Sequence, residues 1–267
     1  MDTRPIGIFD SGLGGLTGLM ALRALLPGED FIYFGDTGRM PYGGRPREQL
    51  RRMALQNLDF MAGQGVKAIF VACGTFSSTA ADLLTAYPIP SFGVLRPSVE
   101  AMARVSGAGP LAILATEASI RSGAFAKAIG ERCPGRKIIP VACPDFVPLI
   151  ESGHITPGDP ALEDALTRYL DPVETAGCDA LLYGCTHYGI IDEAVRAHLG
   201  RRVVTVSASA CGARELANYL IQSDMTGGSG RTRTCTNGDP VVFTAAAERL
   251  LGHKLEAPVE SVPIQEC

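Results

Sequence analysis

Short apolar runs alternate with amphipathic helical patterns along the whole chain. Eight apolar runs predict β-strands over residues 5–9, 30–34, 67–71, 90–94, 111–115, 137–141, 180–184 and 202–206. Between these runs, segments such as 48–65 place apolar residues at i, i+3 and i+4 spacing until glycines interrupt the pattern. Nearly continuous apolar strands that are separated by helices are typical of parallel sheets covered on both faces. The pattern therefore predicts the α/β class.

About eight strands are compatible with one eight-stranded barrel or with two open, doubly wound sheets. Residues 66–75 (VKAIFVACGT) align with residues 178–187 (CDALLYGCTH), and both apolar runs lead into a cysteine and a threonine. This recurrence suggests that one structural half-unit occurs twice in the chain, which favours two open sheets over a single barrel. The glycine- and serine-rich segment 226–240 is interpreted as a loop that joins the last helices, with a final helix after it.

Composition and charge restrict the possible functions. The 267-residue chain has a formal net charge of −4 and no basic stripe, which gives no support for nucleic-acid binding. No apolar stretch approaches the roughly 20 residues of a membrane span, and the first residues lack the layout of a signal peptide. We therefore expect a cytoplasmic protein with no membrane partner. Its eight cysteines include no CxxC pair and are expected to be reduced thiols, not disulfides or zinc ligands.

Four polar, glycine-rich turns follow predicted strands, at the ends where open α/β sheets bind ligands. They are residues 10–15, 35–44, 73–78 and 185–189. The first of them, DSGLGG, does not complete the dinucleotide fingerprint, because position 17 is threonine, and it lacks the lysine of a P-loop. Asp10 and Ser11 are instead expected to place a carboxylate and a hydroxyl at the mouth of a cleft. An aspartate that caps the first helix is the structural interpretation, and it is compatible with the functional one.

Cys73 and Cys185 occupy matched strand ends in this pattern. A thiol with an ordinary pKa of about 8.5 becomes an available base when a helix N-terminus or a cation stabilises the thiolate. A single cysteine beside a histidine would suggest covalent acyl transfer. Two cysteines on facing half-units instead suggest a base and an acid on opposite sides of one carbon. Such a pair can invert a stereocentre without a cofactor, because one thiolate removes a proton and the other thiol returns one to the opposite face.

The motifs IGIFDSGLGGLT, FGDTGRMPYG, VACGT and GCTHY, in this order, identify the chain as similar to the glutamate racemase family. This family belongs to the cofactor-independent aspartate/glutamate racemases, and ATEASIRSGAF and TNGDPVVF extend the resemblance over nearly the whole chain. The resemblance implies two α/β domains related by pseudo-twofold symmetry, an active site in the interdomain cleft, no metal or other cofactor, and a homodimer. We assign residues 1–96 plus 208–267 to a discontinuous first domain and residues 97–207 to the second.

The resemblance also implies roles for individual residues. Cys73 and Cys185 match the two acid/base thiols, which act on the D- and the L-enantiomer respectively. Asp10 is expected to assist Cys73 and His187 to assist Cys185, with Glu151 as a further candidate on the second side. The groups expected to hold an amino-acid substrate belong to Ser11, Pro41, Tyr42, Gly43, Gly74, Thr75, Thr116 and Thr186. From its pattern alone, His187 could also be a satisfied core histidine.

Several positions depart from the family's usual motifs. Gly74 stands where an asparagine amide usually binds the substrate, and the bulky Phe76 stands where alanine is usual. Arg96 replaces a common glutamate near the domain junction, and it would favour a second carboxylate on the substrate if it reached the cleft. Gly189 replaces a proline, and Ala118 and Ser119 replace a Gly-Thr pair.

The departures leave three functions open. A lost hydrogen bond to a charged group costs about 1.5–3 kcal/mol, which is enough to change substrate preference. The first function is interconversion of L- and D-glutamate, which supplies D-glutamate for peptidoglycan. The second is racemisation of another amino acid by the same thiol pair. The third is an inactive binding or regulatory protein derived from a racemase.

Overall fold

The computed structural model describes residues 1–200 and 202–264; Arg201 and residues 265–267, including Cys267, lie outside the described part of the chain. The strands are β1 (Ile6–Asp10), β2 (Phe31–Gly35), β3 (Ala68–Val71), β4 (Ser91–Gly93), β5 (Leu111–Ala115), β6 (Ile138–Ala142), β7 (Ala180–Tyr183), β8 (Val204–Ser207), β9 (Thr232–Thr236) and β10 (Glu260–Ser261). The helices are α1 (Leu16–Leu25), α2 (Arg47–Gly63), α3 (Gly74–Thr79), α4 (Ala81–Ala86), α5 (Leu95–Ala103), α6 (Glu117–Ser122), α7 (Ala124–Arg132), α8 (Phe146–Glu151), α9 (Pro160–Ala176), α10 (Asp192–Leu199), α11 (Ala208–Gln222) and α12 (Pro240–Leu251), with 3-10 helices at Thr37–Arg39 and Thr186–Ile191. None of these helices is long and apolar enough to cross a bilayer.

All strand pairs are parallel, and they form two sheets with the orders β10-β9-β2-β1-β3-β4 and β6-β5-β7-β8. In each sheet the first strand in sequence lies between the second and the third, so connections leave its two sides in opposite directions. Two doubly wound sheets with the same central order confirm the predicted α/β class and exclude the barrel. Strands β5–β8 all lie within residues 97–207, and the domain boundaries drawn at 96/97 and 207/208 stay a prediction.

All eight predicted strands form, with some ends shifted by one or two residues. The interpretation of segment 226–240 as a simple loop is wrong, because it contains β9, which pairs with β2 from Phe31↔Thr232 to Gly35↔Thr236. Its β-branched threonines suit a strand, but the glycines before and after it obscured the pattern. The predicted final helix is confirmed as α12, where the Asp239 side chain accepts hydrogen bonds from the first-turn amides.

One hydrophobic core is continuous between the two sheets. Alternate strand residues enter it, among them Phe70 of β3 and Leu182 of β7, together with apolar residues of helices α1, α5 and α11. Separate cores cover the outer face of each sheet. Burying a large apolar side chain contributes about 1.5–3 kcal/mol, so the shared core holds the two sheets firmly together. It thereby fixes the carboxyl ends of β3 and β7 relative to each other.

A buried ion pair joins the loop before β2 to the start of β3. Lys67 Nζ lies 2.5 Å from Glu29 Oε2, and both side chains are almost inaccessible to solvent. Lys67 also donates hydrogen bonds to the carbonyls of Asp2 and Gly227. Among the described residues, Glu29 Oε2 accepts no hydrogen bond of regular geometry, so this oxygen depends on the charge of Lys67.

We expect Lys67→Met to lower the free energy of unfolding by about 3–5 kcal/mol in urea denaturation, because it leaves the Glu29 carboxylate buried and unpaired. The control is Arg132→Met on α7, which removes an exposed ion pair with Glu100 and should cost about 0–1 kcal/mol. Equal losses in the two variants would contradict the interpretation of the Lys67–Glu29 pair.

Candidate active site

The carboxyl ends of the two sheets enclose a cavity of about 370 Å³. Its lining consists of Ser11, Met40, Pro41, Tyr42, Gly43, Gly44, Cys73, Gly74, Thr75, Thr116, Glu117, Cys143, Pro144, Val147, Pro148, Glu151, Cys185, Thr186 and His187. Cys73 follows β3 of the first sheet and Cys185 follows β7 of the second. The two thiols therefore reach one cavity from two different sheets.

Every predicted site residue except Asp10 lines this cavity. Asp10 is fully buried at the end of β1, so the expectation that it stands at the mouth of the cleft is wrong. Its carboxylate accepts the Gly12 amide at 2.9 Å and the Thr186 hydroxyl at 3.2 Å. Helix α1 has no side-chain cap, so the structural interpretation as a capping aspartate is not realised either. Asp10 instead organises the turn after β1 and ties it to the second domain.

Cys73 is surrounded by groups that keep its thiol protonated. The Cys73 side chain is 3 % exposed, and its Sγ donates a hydrogen bond to Ser11 Oγ at 3.6 Å. The Ser11 hydroxyl in turn lies 3.5 Å from the Asp10 carboxylate. Burial and, secondly, the negative charge of Asp10 raise the pKa of Cys73 to about 12, although the Phe76 amide partly opposes them. At neutral pH this side of the cavity therefore holds a proton donor.

Cys185 has a different partner. His187 Nδ1 lies 3.8 Å from Cys185 Sγ, and His187 Nε2 lies 2.9 Å from Glu151 Oε1. Burial lowers the pKa of His187, but the adjoining sulfur and the Glu151 carboxylate outweigh burial and raise the pKa to about 10. His187 is therefore held as an imidazolium beside the Cys185 sulfur. His187 is buried with both ring nitrogens in contact with a partner, Cys185 and Glu151, and it also lines the cavity.

Two glycines permit the close approach of the sheets at the thiols. A Cβ atom on Gly14 would overlap the His187 ring and the Thr186 hydroxyl, and a Cβ atom on Gly74 would overlap the carbonyl oxygen of Gly184. The glycine-rich turn DSGLGG thus provides room for the second domain. The family's usual asparagine cannot replace Gly74 here without displacing the end of β7.

The other departures lie outside the cavity lining. Phe76 is fully buried and packs edge-on against the Tyr42 ring, with 5.0 Å between the ring centroids. Arg96 forms an ion pair with Glu215 at 2.6 Å and lines a different cavity, between α4, β4 and α5. Arg96 therefore adds no positive charge beside the thiols. Because it does not reach the cavity, it gives no reason to expect a second carboxylate on the substrate.

A buried polar network fixes the segment that follows β2. Asp36 is fully buried, forms an ion pair with Arg39 and accepts a hydrogen bond from the Tyr42 hydroxyl. It also accepts from the side-chain amides of Asn57 at 3.1 Å and Asn237 at 2.7 Å. Burial and the Asp36 carboxylate raise the pKa of Tyr42, which keeps its hydroxyl a donor. These contacts hold the Tyr42 side chain in its position in the cavity wall.

Sequence reasoning missed part of the lining, namely Met40, Gly44, Glu117, Cys143, Pro144, Val147 and Pro148. Cys143 and Pro144 directly follow β6, a predicted strand, so the strand-end rule that identified the other turns would have found them. Cys143 is fully buried, and its thiol donates to the Val141 carbonyl at 3.6 Å. Burial raises the pKa of Cys143, so this third thiol is a neutral part of the wall.

Comparison with known proteins gives the family. Residues 20–214 match the Asp/Glu/Hydantoin racemase family. The glutamate racemase of Thermus thermophilus is 41% identical over 265 residues, which cover 98% of this chain and 97% of that protein. Its crystal structure in complex with β-chloro-D-alanine has a TM-score of 0.87 and 98% coverage of both chains. The glutamate racemase of Francisella tularensis in complex with D-glutamate is 32% identical, with a TM-score of 0.89 and 99% coverage of both chains.

The fold and the comparisons define an isomerase of the amino-acid racemase class. The chain belongs to the Asp/Glu/Hydantoin racemase family.

We expect Gly74→Asn, which restores the family's usual residue, to lower the free energy of unfolding by about 1–3 kcal/mol and to reduce racemase activity. The cause is the overlap with the Gly184 carbonyl, which displaces the strand end that carries Cys185. Urea denaturation and initial rates measure the two effects. The control is Gly130→Asn on α7, where a Cβ atom meets nothing within 4 Å. A gain of activity in Gly74→Asn would contradict this interpretation.

We expect the His187 ring to stay protonated from about pH 6 to about pH 9 in nitrogen NMR of histidine-labelled protein. The pKa of His187 is raised from the ordinary 6.5 to about 10, so protonation of the ring stabilises the folded protein. This contribution to the free energy of unfolding is complete below about pH 6.5 and disappears as the pH rises through about 10. Cys185→Ser removes the sulfur beside the ring and should lower the pKa of His187. A His187 ring that titrates near pH 6.5 in the unaltered protein would contradict this prediction.

Proposed function

We propose that the protein interconverts L-glutamate and D-glutamate by a two-base mechanism without a cofactor. The observation that carries this proposal is the pair Cys73 and Cys185, which line one cavity from two sheets. Relatives at 41% and 32% identity over nearly their whole length are glutamate racemases, which supports glutamate as the substrate. On the same basis we expect a cytoplasmic homodimer that supplies D-glutamate for peptidoglycan.

The thiols act in sequence on the two faces of Cα. In the L-to-D direction, the Cys185 thiolate takes the Cα proton, and the electron pair passes into the substrate carboxylate. The Cys73 thiol then gives its proton to the opposite face, which leaves a thiolate at Cys73 and a thiol at Cys185. The D-to-L direction reverses these two transfers. Each positioned acid or base contributes roughly 10²–10⁴-fold to the rate.

Hydroxyl and amide groups around the thiols are suited to hold the substrate. Thr75 Oγ1 and Thr116 Oγ1, which follow β3 and β5, lie 3.0 Å apart at the cavity wall. Ser11 and Thr186 add hydroxyls beside Cys73 and Asp10 respectively. Hydrogen-bond donors of this kind stabilise the negative charge that develops on the substrate carboxylate as the proton leaves.

The charges beside the two thiols in the substrate-free protein make proton abstraction from L-glutamate and from D-glutamate unequal. His187 is held as an imidazolium beside Cys185, whereas Asp10 lies behind Ser11 on the Cys73 side. The Cys185 side is thus ready to accept a proton and the Cys73 side ready to donate one. This state suits L-glutamate, and the enzyme must redistribute a proton before it can act on D-glutamate.

Racemisation assays on a panel of amino acids test the proposed substrate. Purified protein should abolish the optical activity of L- and D-glutamate with a higher kcat/KM than for any other amino acid. Turnover of a different amino acid in place of glutamate would favour the second function that the sequence left open. No turnover of any amino acid would favour an inactive binding protein.

Serine substitutions separate the two thiols. Cys73→Ser and Cys185→Ser should each reduce racemisation by roughly 10²–10⁴-fold, because each removes one proton-transfer group. Elimination of chloride from 3-chloroglutamate needs only one base, so Cys73→Ser should retain it for the L-configured and Cys185→Ser for the D-configured compound. The control is Cys211→Ser on α11, which does not line the cavity and should leave both reactions unchanged. Equal loss of both eliminations in each variant would refute the two-base assignment.

A further inference from the structure

Tyr33 of β2 carries a hydroxyl group into the core that lies between the two sheets. Its side chain is fully buried, and its ring lies beside that of Phe243 of α12, with 6.3 Å between the ring centroids. A buried phenol needs a hydrogen-bond partner, because an unpaired hydroxyl in an apolar environment is costly. The partner is the backbone carbonyl of Gly12, which accepts the Tyr33 hydroxyl at 2.7 Å. Tyr33 therefore reaches from the core into the turn that follows β1.

The Gly12 carbonyl depends on this contact. Gly12 is buried, and the bond from the Tyr33 hydroxyl is the one hydrogen bond that its carbonyl accepts within the described residues. Burial and, secondly, the Asp10 carboxylate raise the pKa of Tyr33, so the hydroxyl keeps its proton and remains a donor. A buried carbonyl without a donor is unfavourable, so removal of the hydroxyl should shift the Gly12 peptide.

Gly12 connects this hydroxyl to the Cys73 side of the cavity. Its N–H donates to Asp10 Oδ1 at 2.9 Å, and the Ser11 hydroxyl lies 3.5 Å from the same oxygen. Ser11 Oγ in turn accepts a hydrogen bond from the Cys73 thiol at 3.6 Å. These contacts form a continuous chain from Tyr33 through the turn after β1 to the thiol.

The hydrogen bonds beside the second thiol do not involve Tyr33. His187 follows β7, and its partner Glu151 ends α8, so both belong to segments that follow strands of the second sheet. The buried phenol on that side is Tyr188, whose hydroxyl donates to the Cys143 carbonyl at 2.8 Å. Tyr188 thus makes the same kind of contact as Tyr33, between a buried hydroxyl and a backbone carbonyl, on the other side of the cavity.

We propose that Tyr33 is a positioning residue for the proton transfers of Cys73. Its hydroxyl fixes the Gly12 peptide, and the Gly12 amide fixes the Asp10 carboxylate. Asp10 and Ser11 then set the position of the Cys73 thiol. Tyr33 therefore supports proton abstraction from D-glutamate more than from L-glutamate. This inference rests on the proposed function and adds a core residue outside the cavity lining to the groups on which the reaction depends.

Elimination of chloride from the two enantiomers of 3-chloroglutamate tests the inference in Tyr33→Phe. We expect kcat to fall about tenfold for the D-configured compound and less than about twofold for the L-configured one, with KM values within about twofold of the unaltered protein. Tyr33→4-aminophenylalanine keeps a donor at the same position and should restore most of the lost rate. The matched control is Tyr188→Phe, which also removes a buried phenol–carbonyl bond but should not slow the D-configured compound selectively.

Amide hydrogen exchange gives a second readout that does not depend on turnover. The Gly12 N–H, which donates to Asp10, should exchange with solvent deuterium roughly tenfold faster in Tyr33→Phe than in the unaltered protein. The Ala72 N–H, which donates to the Phe9 carbonyl at 3.0 Å, should exchange at the same rate in both proteins. This comparison distinguishes a loosened turn from a protein that is less stable throughout.

The outcomes separate the inference from the proposed function. Equal slowing of both enantiomers in Tyr33→Phe, or no slowing of either, would overturn the inference, because Tyr33 would then serve only the packing of the core. Selective slowing of the D-configured compound in Tyr188→Phe would overturn it as well. An unaltered protein that eliminates chloride from neither enantiomer would refute the proposed function. In that case faster exchange of the Gly12 amide in Tyr33→Phe would still support the role of Tyr33 in fixing the turn, and unchanged exchange would refute it.

Discussion

The candidate active site depends on the close approach of two strand ends from different sheets. The core that α1, α5 and α11 share with both sheets sets this approach, and Gly14 and Gly74 omit the side chains that would prevent it. Thr186 then bonds across the interface, through its hydroxyl to Asp10 and through its carbonyl to Thr17. A misplacement of about 1 Å can cost roughly 10²-fold in rate, so the proposed mechanism depends on these contacts.

The same interface creates an electrostatic difference between two chemically identical thiols. Burial and the Asp10 carboxylate raise the pKa of Cys73, whereas Cys185 lies beside the imidazolium of His187, which Glu151 holds. Charges interact more strongly here than in water because the side chains of Asp10, Cys73 and His187 are buried. Burial also raises the pKa of Cys143, a third thiol that lines the same cavity.

The sequence predicted what depends on local pattern, and it missed what depends on packing. Apolar runs located eight strands, and matched strand ends located Cys73 and Cys185, because both features follow from periodicity. Burial depth and interdomain distances have no local signature. For that reason the sequence placed Asp10 at the cleft mouth, left Arg96 as a candidate charge in the cleft, and gave no account of why Gly74 replaces an asparagine. Strand β9 was missed because glycines flank a run of alternating threonines.

The central claim is that two different thiols serve the two faces of one carbon. Its most direct test is the isotope content of the first product formed from L-glutamate, and separately from D-glutamate, in deuterium oxide. The product should carry deuterium at Cα while the recovered substrate keeps protium, because the donating thiol has exchanged with solvent and the abstracting thiol has not returned its proton. Protium retained in the product, or deuterium in the recovered substrate, would indicate a single base and contradict the account.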